Sequence, residues 1–189
     1  MARSWLSITV ELVEGNGERF WPRPGRIFAA SRAHTFVQLS EAIETAFARW
    51  DRAHLHEFTL PDMTRLSTPF VEEEQGLGGI ILDDRTTKLG RLSLGERFLY
   101  LFDYGDGWMH LCTAAAQRID PLATLGLLPS RPLPFWGWGE LPDQYGRRFA
   151  DDDGECDPPP NPGLTDLPPL RPWWGPQGSS PHRPGDGRA

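Results

Sequence analysis

Apolar and polar residues alternate from Leu6 to Leu12, with Leu6, Ile8, Val10 and Leu12 on one side and Ser7, Thr9 and Glu11 on the other. A period of two predicts a half-buried strand. From Gly15 to Ala30 the pattern breaks. A turn-like GNGE, then Phe20 and Trp21, a WPRPG turn, and Ile27 with Phe28 predict a bent or edge strand, because proline cannot donate to a mid-sheet ladder. The period then lengthens. Phe36, Leu39, Ile43, Ala46, Phe47 and Trp50 recur at helical spacing behind a Thr35/Gln38 capping box, predicting a helix over about 36–49.

Leu55 to Leu60 reads as a short strand ended by Pro61, and 61–80 as a solvated loop with an acidic run at Glu72, Glu73 and Glu74. Ile80 to Leu82 reads as another short strand. RFLYLFDY (97–104) and WMHLCTAAA (108–116) predict two strong strands joined by Gly105-Asp106-Gly107, a hairpin signal. Asp120 before Pro121 predicts a helix cap and a short helix to Leu125. More than half of the 19 prolines lie from Pro158 onward, where the chain should be extended or disordered. The expected architecture is α+β: a mixed or antiparallel sheet (an α/β roll) with one main amphipathic helix across it. The domain should span 4–153, with a proline-rich tail over 154–189 that docks through Trp173 or Trp174.

The apolar fraction of 39%, with 8 Trp and 10 Phe among 189 residues, supplies a ring-rich core. A net charge of −7 disfavours a broad phosphate-binding face and therefore a nucleic-acid partner. Cys112 and Cys156 are too few for a disulfide framework or a cysteine metal site. The N-terminus lacks the apolar core of a signal peptide, and no run approaches the roughly 18 apolar residues of a membrane helix. No membrane association is expected, and the expected compartment is the cytoplasm.

Three segments carry candidate chemistry. In WDRAHLHEF (50–58), His54 and His56 would share a face of a strand, as metal ligands do, with Asp51 or Glu57 able to add an oxygen. The plainer reading is a helix end followed by a strand with one half-buried, hydrogen-bonded histidine. In FLYLFDYGDGWMH (98–110), Asp103 and Asp106 sit at a turn, where aspartates ordinarily cap backbone N–H groups. If the returning strand lies beside 55–60, His54, His56 and His110 could converge with Asp103 or Asp106 on a divalent metal. In PFWGWGELPDQYGRRF (134–149), Trp136, Trp138, Tyr145, Arg147 and Arg148 form either a structural lid pinned by its rings or a basic-aromatic recognition element. No phosphate-binding glycine loop, HExxH or GxSxG motif is present.

The WD-x-x-HLHEF block (Trp50, Asp51, His54, Leu55, His56, Glu57, Phe58) and the F-L-Y-x-x-D-x-GDGW-x-H block (Phe98, Leu99, Tyr100, Asp103, Gly105, Asp106, Gly107, Trp108, His110) resemble the plasmid pRi ORF-three-like family, also known as insertion-element passenger proteins. The resemblance extends over about 4–175 and implies a small α+β roll. It implies a mobile-element association but no chemistry. The resolvase name given to some members finds no support here, since the chain lacks an early serine flanked by arginines and a helix-turn-helix tail. Relatives with a C-P-P-E-D-C-G-G-like segment near the C-terminus are matched here only by DDDGECDPPP, with the single Cys156. The leading expectation is a non-enzymatic binding or accessory module for an unknown protein partner, with no certain cofactor. The alternatives are a metal-dependent hydrolase or nuclease-like enzyme on the His/Asp set and, third, a DNA-associated transposition accessory.

Overall fold

A computed structural model describes residues 4–68 and 80–145. The elements in chain order are β1 (Trp5–Gly15), β2 (Glu18–Arg19), β3 (Gly25–Ser31), α1 (Phe36–Ala46), β4 (His56–Thr59), β5 (Arg65–Ser67), β6 (Ile81–Asp83), a single 3-10 turn (Leu89–Arg91), β7 (Arg97–Phe102), β8 (Trp108–Ile119), α2 (Pro121–Leu125) and β9 (Leu133–Trp138). The tail and its Trp173 and Trp174 lie outside the described residues.

The strands form one open mixed sheet in the order β6-β5-β4-β7-β8-β1-β3-β9, with β2 added to the end of β1. All pairings are antiparallel except β5 with β6. The alternation in β1 sets the inner face: Leu6, Ile8, Val10 and Leu12 are fully buried. Register carries that face across the sheet, through Phe28 and Ala30 on β3 and through Cys112 and His110 on β8. It continues to Phe98 and Tyr100 on β7 and Phe58 on β4. The stripe Phe36, Leu39, Ile43 and Phe47 of α1 joins the same core.

Local chemistry starts and stops α1 close to the predicted bounds. The Thr35 hydroxyl accepts from Gln38 N, the Gln38 side chain accepts from Thr35 N, and Phe47 is the C-cap. Likewise Asp120 caps α2, which has Pro121 at its first turn and Gly126 in the left-handed region at its end.

Three sequence expectations are corrected. Within 61–80, read as a solvated loop, Arg65–Ser67 forms β5 between β4 and β6 with Leu66 fully buried. Within 15–30, read as a bent or edge strand, β3 is interior, between β1 and β9, with the prolines before its first residue, while the short β2 pairs with β1 alone. The segment over 134–149, read as a structural lid or a recognition element, begins within the edge strand β9 itself. Its Pro134 is tolerated because an edge strand has one unpaired side.

Candidate functional site

His54 and His56 do not share a strand face. β4 begins at His56, and His54 lies in the bend before it. The two rings diverge into separate networks.

His54 Nε2 lies 2.6 Å from the Tyr145 hydroxyl and 3.4 Å from Asp51 Oδ2, while Nδ1 lies 3.2 Å from Asp103 Oδ2. The two nitrogens of an imidazole point apart, so the two carboxylates flank the ring and cannot chelate one ion with it. Asp103 is held in the left-handed region (φ 58°), where its Oδ1 accepts from Gly105 N, and its own N–H donates to Leu55 O. Burial, then the neighbouring Asp103 charge, pushes the Asp106 carboxyl up. The Asp51 carboxylate is held below its usual range, chiefly by the Ala53 backbone N–H.

Tyr145 ends a strap over 142–145 that crosses the WD-x-x-H block. Gln144 Oε1 accepts from both Trp50 N and Asp51 N at 3.1 Å, and Gln144 Nε2 donates to Asp51 O at 2.9 Å. The Trp50 indole donates to Asp143, and Arg49 donates to Pro142 O. Burial, followed by Asp51, raises the Tyr145 phenol to about 12. Of the other aromatic-segment candidates, Trp138 lies against Gly25 with its indole on Arg23 O, and Trp136 pairs with Ile27 in the sheet. Arg147 and Arg148 lie outside the described residues.

His56 belongs to the second network. Its Nε2 lies 2.7 Å from Oδ2 of the fully buried Asp84, and its Nδ1 lies 3.9 Å from Glu44 Oε1. Asp84 is fixed by its backbone, whose carbonyl accepts from Val37 N in the first turn of α1. Glu44 stands on the inner side of α1, where its Oε1 accepts the Tyr100 hydroxyl at 2.8 Å. Burial pushes the Glu44 carboxyl above its usual 4.5, against the pull of Tyr100 and His56. Glu44, Arg52, His54 and His56 line a cavity of about 800 Å³ whose apolar wall includes Val37, Ala42, Leu55 and Leu133.

His110 joins neither network. It pairs in register with Tyr100 on β7 and Leu12 on β1 and is completely buried, edge-on to Phe47. Burial, aided by the Arg49 charge, lowers it to about 3 and keeps it neutral. On the sheet it stands two strands from β4, about 10 Å at ordinary strand spacing. The expected three-histidine convergence on Asp103 or Asp106 does not form. Among the described residues no group of three His, Cys, Asp or Glu side chains is arranged to hold a metal ion.

The remaining motif residues serve the scaffold. Glu57 pairs with Arg65, Phe58 is core, and Gly107 takes a positive φ at the turn. Trp108 is buried under the Arg49 guanidinium at 3.9 Å. Glu44 and Asp84 were missed from sequence. The available signal was that Ser40 and Glu44, both polar, share the buried side of an amphipathic helix.

The described residues form an open, mixed, mostly β sheet with one main helix in the same core, and beside that helix a cavity whose wall is largely apolar with a few polar groups. The chain belongs to the plasmid pRiA4b ORF-3-like protein family, whose model matches residues 8–122. A protein of unknown function from Methanosarcina mazei Go1, known from a crystal structure, is similar in fold: the TM-score is 0.55 at 20% identity, over 72% of this chain and 71% of that one. No curated protein matches the chain. Among the described residues no helix is long and apolar enough to cross a membrane.

Proposed function

We propose that the domain is a non-enzymatic binding module that holds a segment of a partner polypeptide in the cavity beside α1. The observation that carries this reading is Glu44. It is a buried carboxyl on the cavity wall, and its nearest cation, Arg52 Nε, is 3.9 Å away. Burial without a close ion pair costs stability, and a fold tolerates such a cost most readily where the group has a task. The rest of the wall fits binding: apolar side chains supply area, and a few fixed polar groups supply orientation. The histidines support acid–base or metal chemistry less well, since each is engaged with partners of its own or sealed in the core.

The test is selection of a displayed random-peptide library on the full chain, followed by calorimetry against wild type and Thr45→Trp. Thr45 is exposed on α1 and lines the cavity, so the indole would occupy ligand space without entering the core. Selected peptides should bind wild type and lose at least tenfold against the variant. Peptides that bind both equally, or a library that yields none, would remove this cavity as the recognition site.

A further inference from the structure

The wall of the cavity offers area more than net charge. Arg131 Nη1 lies 2.8 Å from Glu41 Oε2, and Arg52 Nε lies 3.9 Å from Glu44 Oε2. Two guanidiniums thus face two carboxylates, and the lining selects no strongly charged occupant. Val37, Ala42, Leu55, Leu133 and two prolines make up its apolar part. Leu55 is 46% exposed, a large apolar side chain left open to water on that wall. The described residues end at Tyr145, whose hydroxyl lies 2.6 Å from Nε2 of His54, itself a lining residue. Beyond it the sequence carries Trp173 and Trp174 within LPPLRPWWGP (167–176). The 28 residues from Tyr145 to Trp173 span at most about 90–100 Å, so the indoles can reach the wall from that anchor.

We propose that the cavity docks this chain's own segment 167–176 through Trp173 or Trp174, which then competes with a partner polypeptide for the same wall. The inference rests on the cavity being a polypeptide-binding site, and it names the occupant in the free protein. A covered indole removes about 150–250 Å² from water, the kind of gain a charge-balanced, apolar wall rewards. The guanidiniums of Arg52 and Arg131 can lie over a ring face while keeping their carboxylate neighbours. Prolines at 168, 169, 172 and 176 fix φ, so ordering this segment costs less chain entropy than ordering an average one. The tether makes the contact intramolecular, which raises the effective concentration of the indoles at the wall.

The experiment attaches a nitroxide to the full chain at Gln177→Cys in a Cys156→Ser background and reads the broadening of backbone amides by NMR. Cys112 is completely buried and stays unlabelled. The expected result is broadening of 37–45, 52–56 and 131–134, at least twofold beyond that in a Trp173→Ala/Trp174→Ala chain carrying the same label. Thr45→Trp, which fills the cavity, should remove the excess as well. A nitroxide-bearing chain mixed with an isotope-labelled chain that has none should broaden nothing, since the contact is within one molecule. Peptides selected from the library should bind the double-alanine chain at least tenfold more tightly than wild type. Broadening that survives the double substitution or Thr45→Trp, broadening that arises only between molecules, or none at all overturns the proposal. Equal peptide affinity of the two chains overturns it too. Each of these leaves a peptide-binding cavity intact, and a library that yields no peptide instead removes the reading on which the inference rests.

Discussion

Two buried ionisable residues should govern how stability depends on pH, and they act in opposite directions. Glu44 titrates above its unfolded value because of burial. Between about pH 4.5 and that raised value the native state therefore holds the extra proton, and stability falls as pH rises through the window. Glu44→Gln removes the charge but keeps an acceptor for the Tyr100 hydroxyl. The variant should melt about 2–4 °C above wild type at pH 7, the shift that roughly 1 kcal/mol produces in a chain of this size, and the gain should vanish below about pH 4.5. Thermal melts at the two pH values check this. His110, lowered to about 3 by burial, works the other way. As pH falls below about 6.5 the unfolded chain takes up a proton that the native core refuses. Stability then drops with falling pH, by up to about 1.4 kcal/mol per pH unit. His110→Phe should flatten the change in urea midpoint between pH 7 and pH 4.5, whatever it does to the midpoint at pH 7.

At the scale of elements, the strap over 142–145 has consequences for the site, because it holds the segment that presents His54. Gln144 is fully buried and makes three hydrogen bonds to the backbone of Trp50 and Asp51. Gln144→Ala leaves two part-buried N–H groups and one carbonyl without their partner, so it should cost about 1–3 kcal/mol. Amide exchange in 50–54 should rise well above that in β7 and β8. Equal protection in variant and wild type would show that the strap is ornamental. This element was the least legible in the sequence. The PDQY of the strap has no periodicity, and in β9 Pro134 concealed a strand whose edge position excuses it. The elements whose pattern reports burial directly were legible: β1 from its alternation, α1 from its stripe and capping box, the β7–β8 hairpin from its Asp-Gly turn, and α2 from Asp120-Pro121. The site was legible only as a set of residue types. Which face His54 and His56 take depends on where β4 starts, and a shift of one or two residues there redirects a ring. Asp84, 28 positions from His56, gave no local signal at all.

For the whole molecule, the family match stops at residue 122, yet the fold does not. β9 covers the edge of β3, pairing from Gly25–Trp138 through Ala29–Leu133. The buried Arg26 donates its NH1 to Trp138 O at 2.7 Å. Leu125, beyond the match, is buried at the end of α2, and the strap supplies Gln144. Without residues 123–145, β3 becomes an open apolar edge, a surface that pairs with other chains, and a buried guanidinium loses an acceptor. A chain ending at Leu122 should therefore aggregate or give poorly dispersed amide spectra, while one ending at Tyr145 should keep a single cooperative melt. Had the family core been self-sufficient, the two would melt alike, and β9 and the strap would be accessories. The bonds of Arg26 and Gln144 tie the stretch beyond the match to the sheet: it covers the edge of β3 and contributes Arg131, Pro132, Leu133 and Pro134 to the cavity wall.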